Sequence, residues 1–415
     1  MKARMRYWIF IIPLLLLFAG VTPAGAGILV QCPPDTTGPG GVGPPDGVSD
    51  VADAKCMHLS SGDGFTVMAD GKDQYIFSFS TIDPGTAIEN VVPDYTGRAM
   101  FPAPTITLEE GQELFLSLTN VGMIMRPDLF DAHSVHWHGF INAATVFDGV
   151  PEVSPSSNML ATQPYYYMAA KEGTFFYHCH VEAAEHMQMG MIGNLWVYPE
   201  QDQIGYGGDP NTIAERMGGP DTNPWGYAYN DGDGSTAYDV EYPIQMTTFD
   251  SAFHDASLAV QPLPFALMQD NYFMINGRGY PDTINTGLIT NNAMNWYGSD
   301  YDAQTMNALI TATAGQKILL RLSNVSTTDL LAVTTTLGVP MRVVARGAEL
   351  LRGPTGEDLS FEVDVLNIGG GQAFDVILNT TGVPAGTYFL YTTNLQFLSN
   401  DAEERGGIMT EIVIN

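Results

Sequence analysis

One stretch of this chain is written twice, and that repetition limits the folds open to it. Ile106-Thr107, Gly111-Gln112 and Leu118-Thr119-Asn120-Val121 recur without a gap as Ile310-Thr311, Gly315-Gln316 and Leu322-Ser323-Asn324-Val325. Further on, Gly173-Thr174-Phe175-Phe176-Tyr177 is echoed by Gly386-Thr387-Tyr388-Phe389-Leu390. Self-similarity on this scale implies two copies of one unit. From Gln74 onward, short β-branched and aromatic runs are broken by Gly, Pro and Asn, with no sustained 3.6-residue period. The predicted class is therefore all-β, as two tandem β-sandwiches.

Composition places the boundaries. Lys2, Arg4 and Arg6, the apolar run from Tyr7 to Gly20 and the small residues Ala24-Gly25-Ala26 make residues 1–26 a secretory signal peptide. The apolar run is too short for a membrane span, and no later segment competes, so stable membrane insertion is not expected. Residues 27–72, rich in Gly, Pro and Asp, read as an irregular extension. The first sandwich is assigned to 73–200, a polar linker to 201–240 and the second sandwich to 241–415. Asp231–Asp239 superficially resembles a calcium loop, but Thr236 stands where that loop requires glycine, so it reads as an acidic turn.

Three of the 16 basic residues fall in the signal segment, leaving 13 against 46 acidic ones, a net charge of −33. So acidic a surface argues against nucleic acid and anionic membranes as partners. It favours solubility and concentrates cations. In a secreted chain, Cys32 and Cys56 read as a disulfide pinning the extension. A lipid anchor at Cys32 fits poorly, since Gln31 is bulky and the apolar run lies far upstream.

The chemistry is concentrated in Tyr177-His178-Cys179-His180 and in His186 and Met191 beyond it, together with His133, His136 and His138 upstream. Six of the eight histidines lie between 133 and 186, a density that isolated core or surface histidines do not produce. Side chains alternate across a strand, so Cys179 faces one way while His178 and His180 face the other. His136 and His138 share a face that His133 does not. Two ligand groups result. His133, Cys179, His186 and Met191 form a His₂Cys set with a weak axial thioether, the ligands of a blue-copper (type 1) centre. His136, His138, His178 and His180 form a second metal group. Met187 and Met189 read as adaptable packing residues.

These segments, with Asp148-Gly149-Val150-Pro151, resemble the multicopper oxidase family: laccase-like enzymes and the two-domain proteins related to copper nitrite reductases. The resemblance implies two tandem cupredoxin-like Greek-key β-sandwiches over about 74–415, copper as cofactor, and a homotrimer with copper at its interfaces. The family pattern H-x-x-H-x-H-G falls on His133 to Gly139, and its His-Cys-His run on His178 to His180. It assigns His133, Cys179, His186 and Met191 to type 1 copper and His136, His138, His178 and His180 to the type 2/type 3 site.

The chain departs from that pattern in three ways. Cys179 and His186 are separated by six residues, against four in the usual laccase loop. A trinuclear cluster takes eight histidines, four of them from a second domain, yet Tyr391-Thr392-Thr393 and Val333 to Leu337 stand at the matching places. A nitrite reductase carries aspartate where this chain has His136, and takes a further ligand from a neighbour's second domain. The second domain reads as a copper-free scaffold, with His254 structural.

The expected activity is one-electron oxidation of a small reductant, a phenol or a metal ion such as Fe(II), Mn(II) or Cu(I), with O₂ reduced to water. Glu182 and Glu185 are candidate proton relays or steering charges. The rivals are a nitrite reductase and a non-enzymatic electron carrier. The expected location is periplasmic or extracellular.

Overall fold

The computed structural model describes residues 54–142, 144–204, 226–291, 293 and 301–415. The signal segment, Cys32 and the middle of the linker lie outside them. In the first domain β1 (Ala54–Val67), β2 (Asp73–Thr81), β3 (Ala103–Glu109), β4 (Glu113–Gly122), β5 (His136–His138), β6 (Thr162–Met168), β7 (Gly173–His178) and β8 (Ile192–Tyr198) form two sheets, in the orders β2-β1-β4-β6 and β3-β8-β7-β5. The parallel pairs are β1 with β4 and β3 with β8. Period-two alternation sends Phe77, Phe79, Leu114, Leu116, Trp137, Tyr177 and Leu195 into the space between the sheets, where all are buried. Trp137 stacks on Tyr167 with ring centroids 3.8 Å apart.

The second domain repeats this plan in β9 (Val240–Phe249), β10 (Tyr272–Ile275), β11 (Ile310–Ala312), β12 (Lys317–Asn324), β13 (Leu331–Thr335), β14 (Met341–Arg346), β15 (Val365–Ile368), β16 (Gln372–Asn379), β17 (Gly386–Thr392) and β18 (Met409–Ile414). One sheet runs β14-β16-β12-β9-β10, the other β11-β18-β17-β13-β15. β9 lies parallel to β12 and β11 parallel to β18, as β1 does to β4 and β3 to β8. The repeated side chains do the same jobs in both copies. Gln112 and Gln316 accept from the backbone of Glu109 and Thr313. Asn120 donates to the carbonyls of Asp131 and Ser157, and Asn324 to those of Asp329 and Ile368. Because β17 sits between β18 and β13 as β7 sits between β8 and β5, Tyr391 and Thr392 occupy the places of His178 and Cys179.

Two expected boundaries need correction. The extension assigned to 27–72 contains β1, a central strand between β2 and β4. Its Ser-Ser-Gly-Asp-Gly centre reads as a turn, yet the small residues allow close packing and Asp63 is fully satisfied. The buried Asp63 carboxylate accepts from the amides of Ile124 and Met125 and from the Tyr75 hydroxyl, each at 2.8 Å. Likewise 226–240 is not linker. Gly226–Tyr227 pairs with Ala237–Tyr238, and Tyr229 and Tyr238 pack on Leu319 and Ile377. The intervening turn is closed by Asp231 itself, which accepts from Gly234, Thr236 and Gln201.

The domains meet over an apolar layer in which Phe101, Phe176 and Ile192 pack with Phe249, Tyr272, Met274 and Val325. A buried polar cluster flanks it. Thr174 on β7 donates to Asp375 at 2.5 Å, Tyr229 donates to the same carboxylate at 2.6 Å, and Arg321 Nε donates to Glu241 at 2.8 Å. Cys56 on β1 is disulfide-bonded. No helix among the described residues is long and apolar enough to cross a membrane.

His254, on the helix Ser251–Leu258, is fully buried and donates from Nδ1 to the Tyr75 carbonyl at 2.5 Å. Burial lowers its pKa from 6.5 to about 4. An unfolded chain would protonate this ring at a higher pH than the folded one. The stability that it contributes is therefore complete above pH 6.5 and lost as the pH falls through 4. The shift corresponds to roughly 3 kcal/mol. Urea midpoints should fall between about pH 7 and pH 4, and His254→Gln should flatten part of that slope. His58, lowered to about 4 by the same cause, keeps part of the remainder, with His136, His138 and His178, which burial also lowers.

Candidate metal centres

β5 and β7 pair with His136 opposite His178, Trp137 opposite Tyr177 and His138 opposite Phe176. Trp137 and Tyr177 point into the first-domain core, and the histidines point away from it. After His178 the chain turns through Glu182, held in the left-handed region at φ 45°, into the short helix Ala183–Gln188. That helix brings His186 back beside Cys179. Met191 follows because its backbone closes the loop: its amide donates to the His186 carbonyl at 2.8 Å, and its carbonyl accepts from the Cys179 amide at 3.1 Å.

The first group is fully buried. His133, Cys179, His186 and Met191 all have no exposure, and His133, Cys179 and His186 each offer a ligand atom within 4.8 Å of the others. Cys179 Sγ lies 3.2 Å from His186 Nδ1 and 4.0 Å from His133 Nδ1. The Ser134 amide donates to the same sulfur at 3.4 Å. Burial pushes the thiol pKa up, but the His186 charge and hydrogen bonds from both imidazoles outweigh it and bring the pKa down to about 5. Thiolate is the metal-binding form. These residues fit a type 1 copper.

Behind the ligands stands Asp131, whose Oδ2 lies 3.0 Å from His186 Nε2. Such an outer carboxylate fixes the tautomer and orientation of a ligating imidazole. Sequence reading missed it, because Asp131 and Ala132 lie outside any strand and no period ties them to His133. Asn120 and Ser157 were also missed. Asn120 tethers the Asp131 carbonyl, and Ser157 pairs with His133 through two backbone bonds. Asp131→Asn should lower copper affinity about 10- to 100-fold at this site, measurable by titrating the blue absorption against a chelator.

The second group lies across β7, towards the second domain. His136, His138 and His178 present ring nitrogens within 4.8 Å of one another, and His138 Nδ1 is 3.3 Å from His178 Nε2. His180 stands beside them, its ring 5.0 Å from that of His136. His136 Nδ1 donates to the Asp148 carbonyl at 2.6 Å and His178 Nδ1 to the Cys179 carbonyl at 2.9 Å. Each is left with Nε2 for a metal. Gly149 makes the first contact possible: its φ is +76°, and a Cβ there would lie 2.1 Å from the Val135 carbonyl oxygen. Burial lowers the pKa of His136, His138 and His178, the last to about 3, so these rings are neutral and ready to ligate. Four imidazoles fit a copper site. They do not fit a trinuclear cluster, which needs eight.

Met189 is buried in the first-domain core and Met187 packs on the interdomain layer, both as spacers. Glu182 lies near His186: with Asp131 the two present potential ligand atoms within 4.8 Å of one another. Glu185 stands beside them, and both glutamates line a cleft there with Asp131.

Comparison with known proteins places this architecture. Two family models, each described as multicopper oxidase, match residues 92–202 and 252–413. An L-ascorbate oxidase from Cucumis sativus is 31% identical over 120 residues, which span 28% of this chain and 18% of that protein. Laccase-3 of Thanatephorus cucumeris is 23% identical over 193 residues, 45% of this chain and 27% of that one. The match thus covers less than a third of these curated relatives. Among solved structures, the blue copper oxidase from Nitrosomonas europaea superposes with a TM-score of 0.60 at 22% identity, over 87% of this chain and 86% of that one. A copper nitrite reductase from Nitrosomonas europaea gives 0.55 at 14% identity, over 87% and 94%. These likenesses show the two-domain cupredoxin-like fold. With the two family models covering most of its length, this copper-binding chain belongs to the multicopper oxidase family.

Proposed function

We propose that this chain is an oxidase that takes single electrons from a small reductant beside His186 and delivers them to O₂ at the four-histidine group. The observation that carries the reading is the shared strand. Cys179 belongs to one ligand group, and His178 and His180, its immediate neighbours, belong to the other. Copper in each group supplies reversible one-electron exchange. The His178 Nδ1 bond to the Cys179 carbonyl adds a hydrogen-bonded path to the covalent one and fixes the ring with Nε2 outward.

The reductant's entry is a cleft of about 340 Å³ bordered by Arg126, Phe130, Asp131, Glu182, Glu185 and Leu263. Its floor is Asp131, one contact from His186. Of the two roles expected for Glu182 and Glu185, this reading takes the steering of the reductant, since both line this cleft. Their charge draws a cation. Glu185, whose carboxyl is raised by burial, is suited to take a proton from an oxidised phenol. The acidic rim favours a metal ion, while Phe130 and Leu263 accommodate a ring.

Export belongs to the same reading. The signal segment lies outside the described residues, and the Cys56 disulfide supports an oxidising compartment. Assembly as a homotrimer would cover Ile141, Val146 and Val153, all exposed near the Asp148 turn.

The test is oxygen uptake by the copper-loaded chain with Fe(II), Mn(II), Cu(I) and a phenol, beside nitrite turnover. His136→Ala/His178→Ala should stop O₂ consumption and leave the blue absorption in place. Uptake unchanged in that variant, or nitrite as the only acceptor turned over by the parent chain, would sink the reading.

A further inference from the structure

We infer that the four-histidine group holds a single copper ion, so that each chain carries two coppers whatever its oligomeric state. This rests on the reading above only in taking the group as a copper site. A census of imidazoles carries it. The chain has eight histidines, and all eight lie among the described residues. His133 and His186 serve the Cys179 centre. His58, on β1, is bonded through Nε2 to Thr119 Oγ1 at 2.7 Å inside the first domain's sheet. His254 is fully buried, bonded to the Tyr75 carbonyl and packed on the Phe249 ring 4.5 Å away. Neither can reach the group without unfolding its surroundings. Four remain.

A second copy does not change the count. Homo-oligomers place identical residues at each interface, and the second domain of any copy carries one histidine, the buried His254. The strand ends that would complete an eight-histidine cluster bring Tyr391, Thr392 and Thr393 instead. Part of the rim is also closed from within the same chain. Gly371, in the turn before β16, lies against His138, and a Cβ there would be 3.4 Å from His138 Nε2.

What remains suits one ion. A four-coordinate metal with bonds near ~2.0 Å separates its ligands by about 3.3 Å, the spacing between His138 Nδ1 and His178 Nε2. Backbone carbonyls fix the tautomers of His136 and His178. Among the described residues no carboxylate joins this cluster of potential ligand atoms to offset the charge of a second or third cation; Asp148 Oδ1 lies 3.5 Å from His136 Nδ1, the nitrogen not left for the metal. His136, His138 and His178 are therefore the core ligands, with His180 the adjacent fourth.

The experiment is elemental analysis and spin counting on the full-length copper-loaded chain and on Cys179→Ser. Two coppers per parent chain and one per Cys179→Ser chain are expected. The single copper of the variant should integrate to one type 2 spin, with no absorption from a bridged pair. The ratio should be the same in every fraction resolved by size exclusion. Two or more coppers in Cys179→Ser, a spin count below the metal count, or a ratio that rises only in oligomers would overturn the inference. Should Cys179→Ser not fold, four coppers in the parent chain would overturn it equally. A ratio of two without O₂ uptake would instead overturn the oxidase reading alone.

Discussion

Cys179→Ser should erase the blue absorption and reduce O₂ uptake with every reductant by more than about a hundredfold. Serine keeps nearly the shape of cysteine, so Phe77, Met189 and Met191 around the site stay packed. What changes is the ligand. An alcohol does not ionise near neutral pH, whereas this thiol is brought down to about 5 by its two imidazole neighbours. The soft sulfur that His133 and His186 frame is lost, and with it the ligand whose backbone leads directly to His178 and His180. The copper-free variant should unfold within about 1 kcal/mol of the parent, because one small buried group replaces another. Absorption spectra, an oxygen electrode and urea titrations decide the matter. Residual uptake above a tenth of the parent would mean that electrons enter elsewhere.

The second large effect lies at the domain boundary. Asp375→Ala should destabilise the chain by about 3–5 kcal/mol. Asp375 and Arg321 are each 1% exposed, and the carboxylate accepts from both Thr174 and Tyr229. Its removal strands those hydroxyls and leaves the Arg321 guanidinium with Glu241 as its main anion. The double variant Asp375→Leu/Arg321→Met should recover the part of the loss that comes from the uncompensated guanidinium, since an apolar pair requires no desolvation of charge, while the Thr174 and Tyr229 hydroxyls stay without their acceptor. Urea denaturation measures both. A single-variant loss under 1 kcal/mol would show that water already reaches the pair.

The convergence of His133, Cys179 and His186, that of His136, His138 and His178, and the two-sandwich plan were legible in the sequence for one reason: they depend on alternation and repetition, which survive translation into space. His133 and Cys179 converge across 46 residues because β5 and β7 are neighbours, and the internal repeat supplied that plan. β1 was not legible. Its Ser, Gly and Asp residues owe their burial to partners far away, chiefly Tyr75 and the amides of Ile124 and Met125, which no local pattern reports. The hairpin at 226–238 was hidden for the same reason, since Tyr229 and Tyr238 are anchored by strands more than 70 residues on. Asp131 escaped because an outer carboxylate is defined by a 3.0 Å approach, not by spacing. The helix that returns His186 to Cys179 is too short to show a period. The residues at the matching strand end of the second domain were legible directly, because the repeat aligns Tyr391 and Thr392 with His178 and Cys179.

The pin between Thr174 and Asp375 also sets a rule of parity. Thr174, Phe176, His178 and His180 are even-numbered: the first two face the second domain, and the histidines belong to the metal group on that side. Phe175, Tyr177 and Cys179 are odd-numbered and face the first domain's core. A one-residue slip of this strand would aim the sulfur at the histidine cluster and the histidines at the core. A residue inserted between Thr174 and His178 would therefore exchange the two centres' ligands rather than merely loosen them. The identity of each metal site is thus a matter of counting along one strand, and the second domain, through its contact with Thr174, keeps the count.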